Sequence, residues 1–201
     1  MSTPKPMPAF VRLVADTPLP RIALCRQTFN APRVDDPAAA VATAMAEAAC
    51  VDQRVKPGMR IAVTAGSRGI ASFPELLTAI VAELKARGAV PFVVPAMGSH
   101  GGATAEGQKA LLAKLGITEE RVGCPIESSM ETVEIGRLDN GMSVQIDRIA
   151  NEADGIVLFN RIKPHTSFRA PLESGLAKML SIGLGKQSGA EACHSRGIDR
   201  V

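Results

Sequence analysis

Residues 60–97 read RIAVTAGSRGIASFPELLTAIVAELKARGAVPFVVPAM, and this stretch decides the fold. Two short β-branched runs, RIAVTAG and AVPFVVPAM, flank a segment in which Leu76, Leu77, Ile80, Val81 and Leu84 recur at helical spacing. Ser72, Phe73, Pro74 and Glu75 match an S-x-x-E capping box with proline in the first turn, and Gly88 falls where a glycine ends a helix. Strand, helix and strand in this order make a βαβ unit. They predict a parallel sheet with a right-handed crossover.

Working outward, FVRLVA (10–15) and RIALCR (21–26) are extended candidates separated by DTPLP. The aspartates of NAPRVDD can cap a helix that runs through PAAAVATAMAEAAC to about Cys50. After the second strand comes GSHGGAT (98–104), with Thr104 as N-cap of a helix to Leu115 and Gly116 behind it. Asn140-Gly141, between ETVEIGRL and MSVQI, predicts a hairpin at about 130–147 with a primed turn. A short helix, DRIANEAD, then leads to GIVLFN, which predicts a central strand delivering RIKPHTSF (161–168). The expected fold is α/β, a Rossmann-like mostly parallel sheet flanked by helices, in one domain with a β-hairpin insertion.

Composition narrows the function. The 201 residues are 46% hydrophobic and carry a net charge of +3 without a basic run; aromatics are 3%, with no Trp or Tyr. Phosphate footprint and stacking platforms are both lacking, so no nucleic-acid partner is expected. Cys25, Cys50, Cys124 and Cys193 form no CxxC pair and follow no secretory leader, which fits a reducing, cytoplasmic setting. Charge interrupts the longest apolar run, LLTAIVAEL, so no membrane span is expected. Because a motif-dense stretch runs to the last residues, the chain reads as either naturally short or the N-terminal part of something longer.

Ligands of open parallel sheets bind beyond the carboxyl ends of the strands. Three loops meet that description, AGSRG (65–69), GSHGGAT (98–104) and NRIKPHTSF (160–168), and they carry Arg68, His100 and His165. The third and last histidine, His194, lies in ESGLAKMLSIGLGKQSGAEACH (173–194). There GLGKQSG matches neither the P-loop pattern nor GxGxxG, and remains a generic run of backbone donors. Lys178 and Lys186 have an ordinary reading as surface lysines. Cys193 beside His194 lacks the short repeated ligand spacings of zinc sites.

In order, Arg68, GSHGGAT, KPHTSF, GLAKML and His194, together with EADGIVLFNRIKPH, resemble the lactate racemase family of nickel-pincer-nucleotide enzymes from about residue 20 to the end. The resemblance implies a pyridinium-3,5-bisthiocarboxylic acid mononucleotide holding nickel through sulfur and carbon, tethered at Lys178, with His194 as the protein's nickel ligand. It further implies racemisation or epimerisation of a small 2-hydroxy acid by hydride transfer, with His100 and His165 as paired bases and Arg68 on the substrate carboxylate. Ser174, Gly175, Gly183 and Gly185 would contact the cofactor, and a C-terminal domain, missing from this chain, would complete the site. The spacing from His165 to Lys178 is longer than the family's, with RAPLES inserted. Two rivals stand beside this reading: a non-catalytic ligand- or cofactor-binding domain, and a metal-dependent hydrolase using three histidines. Which hydroxy acid is used and the oligomeric state are not legible.

Overall fold

The computed structural model describes residues 11, 16–18, 20–166, 169, 170 and 172–195. The chain divides into two compact units, Met1–Arg33 and Val34–Val201. In the first, FVRLVA lies outside the described residues apart from Val11. RIALCR carries no strand ladder, contrary to expectation: Ile22 and Leu24 are 88% and 104% exposed, so no neighbour rewards an extended ladder there.

The second unit opens with helix α1 (Pro37–Glu47), whose N-cap Asp36 accepts from the Ala39 N–H at 2.9 Å, and α2 (Ala49–Arg54). The expected single helix is thus broken at Ala48 and continues past Cys50. Strand β1 (Arg60–Ala65), helix α3 (Phe73–Ala86) and strand β2 (Val90–Pro95) form the βαβ unit. Helix α4 (Ala105–Lys114) starts at Thr104, whose Oγ1 accepts from the Gly107 N–H at 3.0 Å. Then follow α5 (Glu119–Val122), the antiparallel pair β3 (Thr132–Arg137) and β4 (Ser143–Asp147), α6 (Arg148–Asn151) and β5 (Gly155–Val157). The last described part is α7 (Leu176–Lys178), a π-helical turn Met179–Gly183, and α8 (Lys186–His194).

Among the described residues the parallel sheet has the order β2-β1-β5. GIVLFN is therefore an edge strand of three residues, and β1 holds the centre where GIVLFN was expected. Alternation along the strands builds two cores. Ile61, Val63 and Val93 face α3 through Phe73, Leu77, Val81 and Leu84, whereas Ala62, Phe92 and Val94 face Met179, Leu184 and Ala150. Both faces are covered, as near-continuous apolar strands require.

Two local readings are corrected. Ser72 makes no side-chain cap bond because its backbone sits at φ 53°, and Glu75 instead pairs with Arg121 at 2.6 Å. The hairpin closes with a three-residue loop, 139–141. Only Gly141 takes a positive φ (80°), while Leu138 and Met142 bond across the loop, so Asn140 is not in a primed turn.

Candidate functional site

A cavity of about 600 Å³ opens beyond the carboxyl ends of β1 and β2. Its rim comes from the loops after β1, β2 and β5 and from the helical segment that ends at His194, the position open parallel sheets reserve for ligands. Arg68, His100, Ser174, Lys178, Gly183 and His194 all line it. So do Ser67, Arg161 and Lys163, and among the described residues no carboxylate lines it.

His100 is the best-defined side chain of the group. Its Nδ1 lies 2.5 Å from Ser67 Oγ, which leaves Nε2 as the nitrogen open to a second partner. Burial pushes the imidazole pKa below its usual value, and the positive charges of Arg68 and Lys178 push in the same direction. The ring is therefore neutral at pH 7, the form a general base needs.

The loop beneath His100 is built from closely approaching backbone. Gly98, Gly101 and Gly102 have φ of 61°, 70° and 68°, and Ala103 has 54°. At Gly107 a Cβ would fall 1.8 Å from the Gly101 carbonyl oxygen, so the α4 backbone packs directly on the loop. Buried Gln108 completes the seat, its Nε2 donating to the Gly98 oxygen at 2.8 Å and to the His100 oxygen at 3.2 Å. Nothing in the sequence marks Gln108 or Ser67 as special beyond their nearness to the loops.

His165 is placed differently. It is not among the lining residues, although Lys163 and Thr166 on either side of it are. Its N–H donates to Glu173 Oε2 at 2.8 Å and its carbonyl accepts from Arg169 Nη1 at 2.6 Å.

Two of the glycines expected at the cofactor lie off the cavity and have structural reasons to be glycine. Gly175 takes φ 66° at the start of α7, and its carbonyl accepts from Asn160 Nδ2 at 2.7 Å. A Cβ on Gly185 would meet the Ser181 oxygen at 2.2 Å. Within the run of amide donors expected there, the N–H groups of Leu184 and Gly189 are bonded to the carbonyls of Met179 and Gly185. Gly183 does line the cavity, and its carbonyl accepts from the Gly98 N–H at 3.1 Å.

Lys186 is not a surface lysine but has no exposed surface at all. Among the described residues no three His, Cys, Asp or Glu side chains are grouped so as to hold a metal ion. The three-histidine hydrolase is corrected on that ground, because His165 stands apart from the cavity that His100 and His194 share. A single imidazole suits instead a metal whose remaining donors arrive with an organic group. Lys178 on the same wall, the small side chains of Gly66, Gly98 and Ala190, and the excess of cations fit an anionic, flat cofactor.

No helix among the described residues is long and apolar enough to cross a membrane. A family model described as the lactate racemase N-terminal domain matches residues 17–200. No curated protein matches the chain.

Proposed function

The chain belongs to the lactate racemase N-terminal domain family, and from that premise we propose that it racemises or epimerises a small 2-hydroxy acid with a nickel-pincer nucleotide as cofactor. One observation carries the reading: Arg68, His100, Lys178 and His194 line a single cavity that, among the described residues, no carboxylate lines. When bound, the cofactor supplies the acceptor and donor for the substrate's α-hydride.

The residues of this chain do the rest. The Arg68 fork pairs with the substrate carboxylate and anchors it while the α-carbon is free to present either face. His100, held through Nδ1 by Ser67, takes the hydroxyl proton on Nε2 from one enantiomer. His165 is assigned the same task for the other enantiomer, which requires its ring to turn into the cavity it borders. Lys178 is the tether, a primary amine at the end of α7 facing the cavity. His194, the last residue of α8, offers its imidazole to nickel. Ser174 and Gly183 border the cofactor, and Arg161 and Lys163 balance its negative charge. A C-terminal domain closing the pocket and a cytoplasmic location belong to the same proposal.

A binding-only role is the second reading, favoured by the position of His165 off the cavity. Intact-mass measurement of protein co-produced with the cofactor-making enzymes separates the two. The expected result is an adduct in the wild type that vanishes in Lys178→Ala, together with loss of optical activity of a single-enantiomer substrate. An adduct without racemisation, or no adduct in the wild type, supports the binding-only role, and racemisation by the wild type sinks it.

A further inference from the structure

Among the described residues, Lys186 and Asp147 are the ionisable side chains with no exposed surface. The Lys186 ammonium donates to the Pro95 oxygen at 2.5 Å and to Gln108 Oε1 at 3.2 Å. Its third neighbour is Asp147 Oδ2 at 2.8 Å, an ion contact without hydrogen-bond alignment. Asp147 in turn is fixed at both ends: Oδ1 accepts from the Ala150 N–H at 2.9 Å, and its own N–H donates to the Leu184 oxygen at 2.7 Å.

Lys186 also holds φ 53°, a left-handed conformation that costs an L residue and persists only where its surroundings impose it. A buried ion pair is a poor device for stability, since desolvation offsets the Coulombic gain and well-packed apolar side chains serve as well. Its use here needs another explanation, and the connections supply one. Lys186 is the first residue of α8, whose last residue is His194. Gln108, which accepts from Lys186, spends its two amide protons on the carbonyls of Gly98 and His100. One ammonium thus ties the end of β2, the hairpin exit and the His100 loop to the start of the helix that bears His194.

We propose that Lys186 is a positioning residue which, through Gln108, seats the His100 loop against the start of α8 and keeps His100 and His194 on one cavity. The roles of the two histidines rest on the function proposed above; the seating does not. Lys186 itself touches neither the cavity nor a reacting atom.

The test is a pH titration of the histidine ring signals by NMR in the full chain, for wild type, Gln108→Met, and Lys186→Met combined with Asp147→Asn. Gln108→Met removes only the link from ammonium to loop. The double variant removes both buried charges while leaving an amide oxygen to cap α6. In both variants the His100 midpoint rises toward that of a free imidazole, about 6.5, as the ring leaves its seat beside Ser67, Arg68 and Lys178. Folded variants with an unchanged His100 midpoint overturn the proposal. Failure of both to fold also overturns it, for the network would then be a folding element and nothing more. No cofactor or substrate enters these titrations, so a wild-type chain that takes up no cofactor would count against the proposed function while leaving this result intact.

Discussion

The two loops that carry the candidate bases are held in opposite ways. The His100 loop is pinned from below by buried groups, Gln108 and the glycine contact between 101 and 107, and its ring is held by Ser67. The His165 loop is held from outside, by Glu173 and an Arg169 whose side chain is 72% exposed. The first arrangement is preorganised from a buried base; the second is screened by salt and can be remade at small cost. Racemisation as proposed treats both faces of the substrate alike, yet the two candidate bases are held unequally. The difference teaches that, on that proposal, His100 is set by the fold and His165 must be brought into place.

The comparison breaks or sharpens in four measurements. The largest effect is on turnover: His100→Asn lowers enantiomer interconversion by about 10²–10⁴-fold, the usual worth of a general base. His165→Asn does the same if both loops serve, and chiral chromatography of the product checks it. A near wild-type rate for His165→Asn would leave His100 as the sole proton acceptor of the two. Next, Gly107→Ala puts a methyl 1.8 Å from the Gly101 oxygen and costs about 1–3 kcal/mol in urea unfolding. Gly102→Ala meets nothing within 4 Å and is expected to cost only the left-handed penalty, about 1 kcal/mol. If the two alanines cost the same, the loop is not packed as described. On the other loop, Glu173→Gln changes stability by less than about 1 kcal/mol, and that difference vanishes in high salt.

The smallest effect is on pH dependence, because the His100 ring keeps an exposed edge. Its pKa is lowered in the fold, so the unfolded chain binds the proton first as pH falls below about 6.5. Stability from this group is complete above that pH and declines below it, levelling off beneath the folded pKa. Denaturation midpoints of His100→Asn should lose that part of the acid slope, and an unchanged slope would contradict the seat described for the ring.

The βαβ unit was legible because its signals are local: the spacing of Leu77, Ile80, Val81 and Leu84, the glycine at 88 and the cap at Thr104 all act within a turn or two. Where a local motif met a tertiary demand, the demand won. Ser72 fits a capping box but is bent to φ 53°, and Glu75 is drawn to Arg121. Convergence of Arg68, His100, Lys178 and His194 followed from strand-end placement together with family resemblance. Lys186 was illegible, since whether a lysine is buried depends on Asp147 and Gln108, 39 and 78 positions away. The structural demand at Gly185 was illegible for a related reason: a Cβ there would meet the Ser181 carbonyl oxygen at 2.2 Å, a contact that follows from the helical packing around it.

Gln108 has one more consequence, for motion. Because a single side chain answers both the Gly98 and His100 carbonyls while accepting from Lys186, displacing it loosens the loop at two points at once. Opening of the loop is thereby coupled to the starts of α4 and α8. The amide protons of Gly98, His100 and Ala103, each bonded to a backbone carbonyl, should then exchange with solvent faster in Gln108→Met than in the wild type. The side chain that seats the loop also sets how readily that wall of the site opens.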